Sequence, residues 1–410
     1  MSNYLRILSC CLAVATTSSA CDASSDTKAG GVATAAEAGM AVVCSDYAST
    51  AIAVLDPEAL RVTAPLLIHS GSASPGVLVA LSGDVTLPTA PALGGPVLLL
   101  DRYPNGVVTW VDPVSATVIR QVDLGAGFAP NIRDMVATHG ARWLVTRANP
   151  NRQPGAKPLD RGDDVLLIGA DGSSLASLSA TELDGFPGRP DRLLARPNGE
   201  VWVSLNRASL DYTEWLDGMV GRVRVGEGST LQWLERIAYP DTRCCGGLAT
   251  DGVRNALACP GSFDTAARTV DPTGSAVLLL DDNAKETARL VGSDPRVGAA
   301  IGQDIAMLAG GRVALVALGD FDGAVDRVLA WHPIADTVVE LYRASAPFII
   351  GSLATNVLGE VVFPVADPAK PEVCVVDSSG TACIPACAAT GLPPRQVRRI
   401  TRADNIELRP

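Results

Sequence analysis

The chain has 410 residues, 47% of them hydrophobic, and a formal net charge of −11. The apolar content suffices for a large core, while the negative charge excludes a partner held by its phosphate backbone, so no nucleic acid is expected. Lys28, Lys157, Lys285 and Lys370 are the only lysines among 33 basic residues, which reads as compositional bias rather than a binding patch.

The N-terminus carries an export pattern. Arg6 supplies positive charge, residues 7–15 form a short apolar run, and residues 16–20 are small or hydroxylated. The run is too short to span a bilayer. Ser18-Ser19-Ala20-Cys21 resembles a bacterial lipobox, with Ser18 where a branched apolar residue is usual. The resemblance implies lipidation of Cys21; an ordinary signal peptidase would also accept Ser18 and Ala20. Residues 22–39, rich in Ala, Ser, Thr and Gly, read as a flexible tether. A cell-envelope location follows, lipid-anchored or else periplasmic or secreted, with membrane contact only through the lipid.

From residue 40 onward a repeat sets in. Seven times a short apolar strand ends on a small polar residue: Asp46, Asp101, Asn149, Asn206, Ser262, Asp320 and Asp367. The separations run from 47 (Asp320 to Asp367) to 58 (Ser262 to Asp320). Short strands repeating at that period predict a β-propeller. Each repeat parses into four strands. The third is clearest, at 51–55, 107–111, 165–168, 220–225, 276–280, 328–331 and 372–376. Tight turns follow it, such as Asp56-Pro57, Asp112-Pro113, Asp171-Gly172, Asp282-Asn283 and Asp377-Ser378, where Pro presets φ and Asp bonds its own backbone. A polar, alternating fourth strand comes next, as at 118–122 and 337–341, then the innermost strand of the following blade, as at 135–138 and 248–250.

First strands precede only six of the seven second strands. The seventh must come from residues 396–401, closing the ring by pairing the two chain ends. The expectation is an all-β, seven-bladed propeller of four-stranded blades over residues 40–410. A closed ring leaves no free sheet edge, and a monomer is expected.

The segment Val108-Thr109-Trp110-Val111-Asp112-Pro113, continuing to Val122, resembles the YVTN-type propeller repeat, as does Ala51-Ile52-Ala53-Val54-Leu55-Asp56-Pro57. The hairpin Gly199-Glu200-Val201-Trp202-Val203-Ser204 looks like those of NHL and gluconolactonase-type propellers. These resemblances imply a fold; fold by itself carries no chemistry.

Beyond Cys21 lie seven cysteines, and an exported chain favours disulfides. Cys374 and Cys383 flank a turn within one hairpin. Cys245, or its neighbour Cys244, sits near a hairpin whose second strand carries Cys259. Cys44 with Cys387 would tie the first blade to the last. Adjacent cysteines bonded to each other occur in quinoprotein alcohol dehydrogenases, which Cys244-Cys245 resembles; that resemblance would imply a quinone-type redox propeller.

Loops between second and third strands are long, at 149–164, 206–218, 262–274 and 320–326. They share one face with the blade-to-blade connections, and Tyr212, Trp215, Phe263 and Phe321 on them could form a recognition surface for a protein or glycan. The alternative is that these aromatics pack the loops together. Asp134, Asp191 and Asp304 open three innermost strands and would ring the channel mouth. Converging carboxylates recruit a hard cation such as calcium, as gluconolactonase-like propellers do, or each caps its own turn or pairs with Arg133 or Arg192. Asp320-Phe321-Asp322-Gly323 with Asp326 matches part of a calcium loop. His69, His139 and His332 are scattered, and no Gly-x-Ser-x-Gly, phosphate-binding or His-Glu-x-x-His motif occurs. A non-catalytic binding or scaffolding module is the leading expectation. A metal-dependent lactonase- or esterase-like hydrolase stands second.

Overall fold

The computed structural model describes residues 39–400 apart from 74, 91–94, 183–184 and 265–268, with the side chains of 263–270 also left aside. The export pattern, Cys21 and the tether to residue 38 lie outside the described residues. Seven four-stranded antiparallel sheets form the blades of a propeller. From the inside outward, blade 1 comprises Pro394–Arg399, Met40–Ser45, Thr50–Asp56 and Arg61–His69. Blade 2 opens on Val85–Thr86, blade 3 on Ile132–Thr138, blade 4 on Pro190–Ala195, blade 5 on Leu248–Thr250, blade 6 on Ile301–Leu308 and blade 7 on Ala354–Thr355. All seven predicted third strands are present, the longest as Asp217–Val225.

Burial explains the sequence pattern. Second and third strands are covered on both faces by neighbouring blades and read as unbroken apolar runs; Val97–Asp101, Val107–Val111 and Ala276–Leu280 are buried at every residue. Outermost strands, such as Val118–Asp123 and Ser174–Ser179, keep one wet face. Seven apolar clusters fill the seven gaps between adjacent blades. Between blades 2 and 3, for instance, Leu98 and Trp110 meet Ile132, Met135, Val145 and Leu166.

The ring closes as the strand count required. Pro394–Arg399 pairs with Met40–Ser45, in the register Met40 to Arg399 and Val42 to Val397. Cys44 is bonded to Cys387, Cys245 to Cys259 and Cys374 to Cys383, the three expected pairs. Gly218 is shaped by the second of these: a Cβ there would lie 1.9 Å from Cys245 Sγ, so no larger residue fits beside that bridge.

A further repeat secures the blade connections. The residue entering the third strand turns its side chain onto the backbone leading to the next blade. Asp163 accepts from Gly188 and Arg189 N–H, Ser275 Oγ from Ile301 N–H, and Asp326 from Phe348, Ile349 and Ile350 N–H. All three residues are fully buried. Each connection is thereby held without help from its own strand pairing.

Candidate functional site at the channel mouth

A left-handed residue precedes the innermost strands of blades 3, 4 and 5: Asn131 at φ 52° and Arg189 at φ 52° immediately before theirs, and Cys244 at φ 57° in the connection leading to Leu248. Such backbone in a side-chain-bearing residue is uncommon and held by its surroundings. In blades 3 and 4 a β-bulge follows at once. Ile132 pairs with Arg147 but Met135 with Val145, and Pro190 pairs with Leu205 but Leu193 with Val203. Blade 6 has a wider break between Ile301 and Ile305. Bulges re-aim side chains. Here they turn Arg133-Asp134, Asp191-Arg192 and Gln303-Asp304 toward the channel, at the end where the long loops lie.

The bulge also shifts the repeat. Thr146 Oγ1 donates to Asp191 O, and Ser204 Oγ makes the same bond to Gly246 O. Likewise the N–H of Asp134 donates to Thr146 Oγ1 and that of Arg192 to Ser204 Oγ. Asp134 is therefore the counterpart of Arg192, and Asp191 that of Arg133. The three acids do not occupy one repeat position.

Their surroundings differ accordingly. Asp191, fully buried, takes Arg133 Nη2 at 2.9 Å, Gln303 Nε2 at 2.5 Å and Asn206 Nδ2 at 2.9 Å, with Arg192 Nε at 3.6 Å. Asp304 takes Arg398 Nη2 at 2.7 Å and lies 3.5 Å from Arg192 Nη2. Asp134, also fully buried, accepts from the N–H of Thr89 (2.8 Å), Met135 (2.9 Å) and Leu193 (2.8 Å). The network bridges blades 3, 4, 6 and 1, crossing blade 5 where Gly246 leaves room; a Cβ on Gly246 would lie 2.5 Å from Gln303 Nε2. On the far side of blade 3, Gln396 Oε1 receives Thr86 Oγ1 and Leu87 N–H, stitching the C-terminal strand to blade 2.

Burial alone would push the Asp191 carboxyl up, but Arg133 and Arg192 override it and bring it down to about 2. Burial pushes Asp134 up, against Arg192 and its three N–H donors. The depressed Asp191 contributes stability that is complete above its unfolded value of 3.8 and is lost as pH falls through about 2. A shift of this size is worth roughly 2 kcal/mol. Urea unfolding between pH 5 and pH 2 should show that loss in the wild type and a flatter profile in Asp191→Asn; matching profiles would remove the ion pair from the account. Asp134 works in the opposite sense, its raised carboxyl favouring the folded state at low pH and weakening it as pH rises.

Among the described residues, the fully buried side-chain atoms at the mouth without a hydrogen bond are Thr89 Oγ1, Arg192 Nε, Arg398 Nε and Asn206 Oδ1, with no carboxylate oxygen among them. Among the described residues one group of three potential metal ligands stands within reach of an ion: Glu372, Cys374 and Cys383. Its two sulfurs are joined in a disulfide. The partial calcium loop is likewise accounted for: Asp320 caps its own turn through the N–H groups of Asp322 and Ala324, while Asp326 grips Gly319 and 348–350. Of the seven strand-end polar residues, Asp46 and Asp367 are turn caps too. Asn206 departs from that pattern, because it supports Asp191.

The vicinal bridge behind the quinone resemblance does not form. Cys245 is bonded to Cys259, and Cys244 is the unpaired cysteine among the described residues, its thiol pushed up to about 12 by burial and by Asp191.

On the long-loop face, an open groove of about 650 Å³ runs between the loops of blades 3 and 4. Arg152, Phe186, Leu210, Asp211 and Glu214 line it. Tyr212 stands beside the groove with Arg189 over its ring at 4.5 Å, and Trp215 is half-buried, bridged through its backbone to Ala208. Phe321 packs on Phe348 with ring centroids 4.9 Å apart. The rings of Tyr212 and Phe321 thus pack on neighbouring side chains, and the side chain of Phe263 lies outside the described residues.

No known family profile matches this chain, and no curated protein matches its sequence. Solved structures do. A protein from Lactobacillus plantarum superposes with a TM-score of 0.58 at 11% identity, covering 89% of this chain and 99% of its own. A "putative 6-phosphogluconolactonase" from Bacteroides fragilis gives 0.57 at 10% identity, covering 90% and 99%. Virginiamycin B lyase from Staphylococcus aureus gives 0.51 at 10% identity, covering 78% and 93%. The likeness is one of fold. At such identities no residue role passes from those proteins to this one.

Proposed function

We propose that the chain is a non-catalytic binding module of the bacterial cell envelope, exported and held by a lipid on Cys21, and that a protein partner docks on its long-loop face. The observation that carries this reading is the occupancy of the channel mouth: every carboxylate there is engaged by an arginine, an amide or backbone N–H groups. The groove beside it mixes charge with apolar surface, since Leu210 is 50% exposed next to Arg152, Asp211 and Glu214. Its open shape suits a segment of protein better than an enclosed small molecule. Three disulfides are in keeping with an oxidising compartment. Among the described residues no helix is long and apolar enough to cross a membrane.

A photocrosslinker placed at Leu210 in the producing cell should form a discrete adduct that the same group at Val253, on the opposite face, does not. The competing hydrolase reading is tested on the same preparation by unfolding in EDTA and then with calcium, magnesium, manganese or zinc. No shift of the midpoint is expected. A cation at about a hundred times its Kd would add roughly 2.7 kcal/mol. Such a gain, abolished by Asp134→Asn or Asp304→Asn and accompanied by lactone or ester turnover, would overturn the non-catalytic reading.

A further inference from the structure

Antiparallel order sends both hairpin turns of every blade to the end opposite the long loops. Turn tips are ordinarily polar. Several here are not: Ile334 is 83% exposed, Val253 79%, Leu358 63%, Val114 54% and Val357 50%. Val253 tips the inner turn of blade 5, Ile334 the outer turn of blade 6, and Val357 and Leu358 the inner turn of blade 7. These blades are consecutive and their inner turns touch. Arg254 Nη1 of blade 5 reaches Gly311 O of blade 6, and a Cβ on Gly359 of blade 7 would lie 3.5 Å from Ala309 Cβ of blade 6. Isolated apolar side chains on a surface need no explanation, but Val253, Val357 and Leu358 on inner turns that join through blade 6, with Ile334 exposed on the outer turn of that blade, do.

The chain itself indicates the occupant. Met40 pairs with Leu55 and with Arg399, at the ends of two strands on this same side. The tether that precedes Met40, with Cys21 at its head, is therefore joined to the domain at the face of the apolar tips.

We infer that the short-turn face lies on a lipid bilayer, with Val253, Ile334 and Leu358 entering the headgroup region. The long-loop groove then faces away from the membrane, where a partner can reach it. The inference deepens the anchored-module reading and rests on it for the membrane's proximity. Transfer of apolar side chains from water drives the contact. Electrostatics does not, because the side chains of Asp282 (78% exposed) and Asp336 (74%) share this face.

Hydrogen exchange of the mature protein, with and without vesicles of phosphatidylethanolamine and phosphatidylglycerol, reads both faces at once. Turns 251–254, 333–336 and 356–359 should exchange about tenfold more slowly with vesicles present, while 209–214 stays unchanged. Raising salt from about 0.1 M to 1 M, which shortens the screening length from about 10 Å to 3 Å, should leave that protection intact. The triple variant V253D/I334D/L358D should lose it while keeping the wild-type unfolding midpoint. Absent protection at the three turns, or protection at 209–214 instead, overturns the inference. The mass of the peptide bearing Cys21 separates the two claims. Protected turns with an unmodified Cys21 sink the lipid anchor and leave the bilayer contact standing; an acylated Cys21 with unprotected turns sinks the contact alone.

Discussion

Replacing both Cys44 and Cys387 by alanine is expected to lower the unfolding free energy by about 4–5 kcal/mol, the largest effect of the three disulfides among the described residues. The bridge spans 343 residues, against 14 for Cys245–Cys259 and 9 for Cys374–Cys383. A cross-link restricts the unfolded chain more when it closes a longer loop, and a bridge closing about 15 residues is worth roughly 3 kcal/mol. There is a native-state side to the effect as well. Cys44 sits on the strand that Pro394–Arg399 must join, and Cys387 lies in the connection leading to that strand. Without the bridge, the C-terminal strand can leave blade 1 and expose the edge of Met40–Ser45. Urea midpoints under non-reducing conditions for the three double variants should rank with Cys44/Cys387 as the most damaged. Equal losses for Cys374/Cys383 and Cys44/Cys387 would refute ring closure as the source of the stability.

Asp326→Ala should cost about 4 kcal/mol without touching the channel mouth or the long-loop groove. The carboxylate is fully buried and receives four backbone donors: Gly319 N–H at 2.7 Å, Phe348 at 2.9 Å, Ile349 at 2.8 Å and Ile350 at 3.0 Å. Removing it strands N–H groups away from water at roughly 1–3 kcal/mol each, less whatever the connection recovers by relaxing. Asp326→Asn keeps one acceptor oxygen and puts an NH₂ donor against the remaining N–H groups, so an intermediate loss of roughly 2 kcal/mol is expected. Asp320→Ala, six residues away and exposed, removes only turn caps and should cost under about 1 kcal/mol. Denaturant titration of the three variants tests the order. If Asp320→Ala proves as damaging as Asp326→Ala, the clamp between blades 6 and 7 is not what Asp326 provides.

Asp326 also shows where reading residues in isolation misleads. In the sequence it sits beside Asp320 and Asp322 and invites a calcium loop. The fold assigns Asp326 to the next blade's backbone and Asp320 to its own turn. The signal that could have separated them was positional: Asp163, Ser275 and Asp326 all enter a third strand, a recurrence that shows once the strands are aligned. Asp134, Asp191 and Asp304 illustrate the same difficulty at the channel. A bulge adds one residue to the innermost strands of blades 3 and 4 and two to that of blade 6, which periodicity alone does not reveal. Of the arginines that face these acids only Arg192 adjoins its partner Asp191; Arg133 reaches Asp191 from 58 residues away, and Arg398 reaches Asp304 from 94.

Seven blades, their third strands, the closing C-terminal strand and two disulfide pairs were legible in the sequence, with the partner of Cys259 narrowed to Cys245 or its neighbour Cys244. Those features follow from local physics. Strands packed between blades must be apolar on both faces, turns must carry residues that accept their φ, and a closed ring must have as many first strands as second. Cysteines on neighbouring strands of a predicted hairpin are already paired by the strand register. What tertiary structure decided was the direction of polar side chains at the channel mouth and which residues pair there. Both depend on bulges, left-handed residues and contacts between segments dozens to hundreds of residues apart, where a shift of one position exchanges a carboxylate for a guanidinium. The repeat therefore determines the scaffold, and only the folded ring determines which charges meet inside it.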